Sequence, residues 1–134
     1  MRLANYVESS KGAPRERTEI TVTPAGWVEV VIGTQANGQG HETSFGQVVS
    51  ALLAVPVDSI DLVTGDTDRV SLGGGSHSGR SMRHAATLFT KAAPELIAKG
   101  KDIAARILET TTDEIAFADG RFASPRSNRS FDRT

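Results

Sequence analysis

The chain has 134 residues, a formal net charge of -1 and no cysteine. That length suits one hydrophobic core, and the charge balance gives no general attraction to nucleic acid or an anionic membrane. The missing thiols exclude disulfides, thiolate iron–sulfur ligation and a cysteine nucleophile within the chain. In chain order, Leu3 to Glu8 reads as a short edge strand, and a chain that starts in structure reads as cut from something larger. Ser9 to Arg15, with Lys11-Gly12-Ala13-Pro14, is a loop. Thr18, Ile20 and Val22 alternate with polar residues, the period of a half-buried strand. Pro24-Ala25-Gly26 turns the chain. Trp27 to Ile32 then returns as the second strand of a hairpin, more apolar and so more central.

Gly33-Thr34-Gln35-Ala36-Asn37-Gly38-Gln39-Gly40-His41-Glu42-Thr43 follows that strand and opens a helix over about 41–54. Phe45, Val48, Val49, Leu52 and Leu53 give the helix one apolar face. Glu42 suits its dipole, and Thr43 or His41 is a candidate cap. Val55-Pro56 ends it, and Asp58 to Val63 supplies a further strand, which suggests a right-handed crossover. Thr64 to Gly75 is loop, read as a polar turn rather than a cation site. From Ala85 to Leu108 apolar residues recur at steps of three and four, in phase across Pro94. That pattern predicts one long helix, about 81–109, bent at Pro94 or split into two coaxial pieces. Asp119-Gly120 between 114–118 and 121–124 predicts a hairpin. The polar, arginine-rich residues 125–134 are expected to trail off without structure.

The predicted fold is therefore α+β. A mixed sheet of about four strands has one face covered by two helices, and a short hairpin follows. Residues 1–124 form a single domain. No apolar run is long enough to span a bilayer and no signal peptide is visible. This reading places the chain in the cytoplasm and leaves the periplasm open.

Two glycine-rich stretches lead into helices, the one above and Leu72-Gly73-Gly74-Gly75-Ser76-His77-Ser78-Gly79-Arg80-Ser81. Backbone N–H groups at a helix start lack intrahelical partners and carry partial positive charge. Glycines let a ligand approach that backbone. Each stretch alone is either an anion site or a plain turn; two together could clasp one extended phosphorylated ligand. Ser76, Ser78 and Ser81 offer hydroxyls, and Arg80 offers a planar fork for phosphate oxygens. Gln39 offers an amide for a heterocycle edge. The histidines lack zinc spacing, Gly74 to Ser78 does not match a nucleophile elbow, and no Gly-Lys-Ser/Thr follows the glycines. The spatial expectation is that Gln39 and Arg80 share one rim.

Gly33-Thr34-Gln35, Gly38-Gln39-Gly40-His41-Glu42-Thr43 and Gln47-Val48-Val49 together resemble the molybdenum-cofactor-binding large subunit of the xanthine dehydrogenase, aldehyde oxidase and carbon monoxide dehydrogenase family. Val55-Pro56, Gly65-Asp66-Thr67-Asp68, Arg80-Ser81 and Ala118-Asp119-Gly120-Arg121-Phe122 continue the resemblance in order. It implies a cofactor-binding region of a molybdenum hydroxylase, an oxidoreductase, and in bacterial members molybdopterin cytosine dinucleotide as cofactor. It assigns Gly38, Gln39, Gly40, His41 and Thr43 to one side of the pterin and its phosphates. Ser76, His77, Ser78, Gly79, Arg80 and Ser81 fall to the other. It implies as partners the rest of the large subunit and iron–sulfur and FAD subunits or domains. Many members carry Gly-Ser-Arg-Ser where this chain has Ser78-Gly79-Arg80-Ser81. The family's Gly-x-Gly-Glu base has no counterpart here, so the chain reads as an interior segment, inactive and weakly cofactor-binding when isolated. The alternative is a small non-catalytic nucleotide- or phosphate-binding module.

Overall fold

The computed structural model describes residues 3–7, 9, 15–126 and 130–132. Strand β1 (Thr18–Val22) and strand β2 (Val28–Ile32) form the expected antiparallel hairpin. Helix α1 (His41–Leu53) then crosses over to strand β3 (Ile60–Thr64), which pairs parallel to β2. The sheet order is β1-β2-β3, so β2 is central as its apolarity predicts. Register places Ile20, Val30 and Leu62 in one cross-strand row. That row and its neighbours Val28 and Ile32 pack with Phe45 and Val49 of α1. Ala85, Phe89 and Ala93 complete the same core from helix α2 (Ser81–Ile107). Phe45 and Phe89 meet edge to face at 5.8 Å. Both helices therefore cover one face.

The main sheet has three strands, not about four. Leu3 to Val7 is not a strand: Leu3, Tyr6 and Val7 are largely exposed and exchange no ladder with β1. Its apolar side chains have no sheet neighbour to bury them. Glu8 lies outside the described residues.

Helix α2 is continuous for 27 residues with Pro94 inside it. A span of that length is about 40 Å. Pro94 sits on the exposed side, so its ring meets solvent, and buried Phe89 and Ala93 before it and Ala104 and Ala105 after it keep the stripe in phase. The far half of α2 carries a second cluster with Ile115 and Phe122. Strands β4 (Ala116–Ala118) and β5 (Arg121–Ala123) form the predicted hairpin. Asp119 and Gly120 both have positive φ, 51° and 72°, the geometry that favours Asp-Gly in such turns. A Cβ at Gly100 would lie 2.3 Å from the Phe122 ring, so that glycine lets the hairpin rest on the helix.

The expectation of an unstructured tail fails at Ser130–Asp132, which form strand β6 against β5. A polar edge strand needs only backbone partners, which hydropathy does not reveal. The other tail residues from 127 onward lie outside the described residues.

Candidate functional site

Strands β2 and β3 run parallel, and both glycine-rich loops leave their carboxyl ends. In sheets with crossover helices, that end is where ligands bind. Loop one, Gly33 to Gly40, leads from β2 into α1; loop two, Gly65 to Arg80, leads from β3 into α2. Gly40 begins α1 in left-handed backbone at φ 71°, and its carbonyl accepts from the Ser44 amide at 3.1 Å. Neither helix start is closed by a side-chain cap, so the candidate caps Thr43 and His41 do not serve. Thr43 is exposed on the first turn.

The rims of the two loops meet. Gln39 Nε2 donates to Ser76 Oγ at 3.0 Å, and the same nitrogen lies 3.0 Å from His41 Nε2. Ser76 Oγ donates its proton to the Gln35 carbonyl at 2.5 Å, so at 3.0 Å it accepts from Ser81 Oγ. Both hydrogens of the Gln39 amide are thus engaged, one across to loop two and one on His41. The expected free amide instead braces the loops, and only its Oε1, which accepts from the Asn37 amide, retains a lone pair for a ligand. His41 is buried and stacks on Phe45 at 4.4 Å. Burial holds its pKa below the usual imidazole value, with Glu42 pulling the other way. A neutral ring accepting at Nε2 fits both observations.

His77 is exposed and its Nδ1 lies 3.1 Å from Ser78 Oγ. Ser78 and Gly79 follow each other in left-handed backbone at φ 53° and 59°. Ser78 thus occupies a conformation that suits glycine, the residue the Gly-Ser-Arg-Ser form would place there.

Arg80 differs most from expectation. Its side chain is fully buried, so its guanidinium is not on the rim. Nη1 donates to the Gly75 carbonyl at 2.7 Å, and Nη2 lies 3.4 Å from Glu16 Oε2. The Glu16 side chain is 1% exposed. Its Oε2 also accepts from Thr34 Oγ1 at 2.6 Å and from the Gly74 amide at 3.1 Å. A buried cation needs a countercharge more than it needs a phosphate, which is why the fork turns inward. Gln39 and Arg80 do belong to one loop pair, but at opposite depths of it. Glu16 and Thr34 escaped the sequence reading. The only available signal was that Arg80, if buried, needs an acid, and no local spacing selects one 64 residues away.

Open space lies before the outer glycines. A Cβ at Gly38, Gly40, Gly75 or Gly79 would meet nothing within 4 Å. Among the described residues, no group of three or more histidines and carboxylates could hold a metal ion, and no helix is long and apolar enough to cross a membrane. An apolar cavity of about 330 Å³ lies at the other end of β2, between Val28, Leu96, Ile97, Phe117 and Phe122. Its lining is mostly aliphatic and aromatic, with Thr21 and Lys99 among the polar residues.

The carbon monoxide dehydrogenase large chain of Afipia carboxidovorans is 35% identical over 107 residues, 80% of this chain and 13% of that one. The 6-hydroxypseudooxynicotine dehydrogenase complex subunit gamma of Paenarthrobacter nicotinovorans is 35% identical over 77% of this chain and 13% of its own length. The crystal structure of the Cu,Mo-CO dehydrogenase in its carbon monoxide reduced state superposes with a TM-score of 0.77 at 32% identity, covering 87% of this chain and 15% of that one. The chain thus spans about an eighth of the length of these curated relatives. The family described as "Molybdopterin cofactor-binding domain" matches residues 2–134, and the chain belongs to it, among the molybdenum-cofactor-binding regions of the xanthine dehydrogenase and carbon monoxide dehydrogenase family.

Proposed function

We propose that the two braced loops hold the pterin and phosphates of molybdopterin cytosine dinucleotide for a molybdenum hydroxylase. The observation that carries this reading is the Gln39–Ser76 hydrogen bond, which joins the loops at the carboxyl ends of two parallel strands. The fit is chemical as well as spatial. The open glycines leave room for a ligand against the backbone, and uncapped helix starts direct N–H groups at it. Ser78 and the Gln39 Oε1 lone pair add polar contacts at the rim. Bound, the molybdenum centre supplies the oxidation–reduction chemistry. This chain's residues bind and orient: Gly38 to His41 from one side, Ser76 to Gly79 from the other, with Arg80 and Ser81 holding loop two from beneath.

No residue of this chain is assigned as the proton-transferring base. The relatives above are named for carbon monoxide and for 6-hydroxypseudooxynicotine. Electrons leave through iron–sulfur and FAD partners, in the cytoplasm. Half a pocket binds weakly and turns nothing over by itself.

Hydrogen exchange on the 134-residue chain, with cofactor released from a molybdenum hydroxylase, tests the reading. Protection confined to residues 33–41 and 72–81 is expected. Protection centred on the apolar cavity, or none at saturating cofactor, overturns it. Equal protection by cytidine nucleotide alone would favour the non-catalytic binding module.

A further inference from the structure

Among the described residues, the Glu16 carboxylate is a buried acid that touches both loops. It precedes β1 by two residues, and one oxygen, Oε2, takes three contacts from three separate segments. Thr34 belongs to the base of loop one, Gly74 to loop two, and Arg80 to the start of α2. Beneath this oxygen the loops touch backbone to backbone. A Cβ on Gly33 would lie 2.6 Å from Gly73 Cα, and one on Gly73 would lie 2.8 Å from Gly33 Cα. A Cβ on Gly33 would also meet Glu16 Oε1 at 2.5 Å. Oε1 is buried and accepts no hydrogen bond among the described residues. The carboxylate is therefore wedged against Gly33 by packing on one oxygen and bonded across the loops by the other.

We propose that Glu16 is the positioning residue of the loop pair: by tying Thr34, Gly74 and Arg80 to one buried charge, it sets the separation of the two rims. The proposal rests on the loops being the cofactor cradle for its functional meaning, but its structural content stands apart from that reading. A charge in a low-dielectric interior holds its partners more tightly than the same charge in water. Hydrogen bonds to it are of the stronger, charge-assisted kind. The rims, exposed and joined by neutral groups, have no comparable anchor of their own. Their spacing follows from the base.

The test compares Glu16→Gln, Glu16→Asp and the surface control Glu29→Gln in the 134-residue chain. Glu29 is bonded to Arg69 in the first part of loop two, outside residues 33–41 and 72–81. Amide hydrogen exchange is followed by residue range. Glu16→Gln is expected to speed exchange in 33–41 and 72–81 together, by about tenfold or more. Exchange in 116–123 and in the second half of α2 stays unchanged. Glu16→Asp, which keeps the charge, recovers part of the protection; Glu29→Gln changes exchange in neither 33–41 nor 72–81. A merely structural role would raise exchange across the whole chain, and that result overturns the proposal, as does loosening of one loop alone. Thr34→Val supplies a second variant that keeps the ion pair. It is expected to loosen loop one, and unchanged exchange in 33–41 also overturns the proposal.

Cofactor retention separates the two claims. If Glu16→Gln loosens both loops and cofactor binding is unchanged, Glu16 is the clamp and the loops are not the cradle. If binding falls while both loops keep their protection, the cradle stands and the clamp does not.

Discussion

The base and the rim of the loop pair join the same two segments by different means. At the base, Arg80 and Glu16 meet with both side chains essentially removed from water. At the rim, Gln39 and Ser76 meet through neutral groups near solvent. Breaking a buried ion pair strands a charge; breaking an exposed neutral hydrogen bond lets water replace it. The base can therefore be rigid and carry stability, while the rim can exchange its partner for a ligand at little energetic cost.

The largest expected effect comes from the base. Arg80→Met leaves the Glu16 carboxylate buried without its countercharge, and removing one partner of such a pair costs about 3–5 kcal/mol. Urea denaturation of the chain should show that loss. A loss below about 1 kcal/mol would mean that the base is no better insulated than a surface pair. Gly73→Ala attacks the same junction sterically, because its nearest obstacle is the Gly33 backbone, which cannot rotate away. Overpacking of this kind costs about 1–3 kcal/mol, read in the same denaturation series.

Smaller effects sharpen the contrast at the rim. Ser78→Gly relieves a left-handed serine at φ 53° and loses its contact with His77. A net gain of up to about 1 kcal/mol is expected, visible as a raised Tm. His41 predicts a pH dependence. Burial lowers its pKa in the folded chain, so the unfolded chain binds more protons between that lowered value and about 6.5. Stability is then fully present above about pH 6.5 and is lost as pH falls below it. Denaturation midpoints at about pH 7.5 and 5.5 should differ in this sense, and His41→Gln should remove that part of the difference.

Much of the scaffold was legible because it depends on local pattern. The β1–β2 hairpin, α1 from His41 and the Asp119-Gly120 turn each follow from period or turn chemistry within a few residues. The continuity of α2 through Pro94 was legible in the register of its apolar stripe. Leu3 to Val7 misled because a short, largely apolar run becomes a strand only where a sheet accepts it. Arg80 misled in a related way. Its place beside serines and glycines suggests phosphate, but its orientation was decided by Glu16, far away in sequence. Long-range polar pairing leaves no periodic trace, so the rim was legible and the base was not.

Gln39→Ala is the smallest change in stability and the most informative about use. It deletes the exposed Ser76 contact and the contact with buried His41 together, yet both are neutral, and each contributes about 0.5–1.5 kcal/mol at most. The denaturation midpoint should barely move, and exchange at Thr34 and Gly74 should stay slow because the Glu16 junction is intact. Cofactor retention should fall nonetheless, since the rims lose their common brace and the Oε1 acceptor. A large stability loss in Gln39→Ala, comparable to that of Arg80→Met, would erase the difference between the two depths of the loop pair. Unchanged retention would place the ligand's contacts somewhere other than this rim.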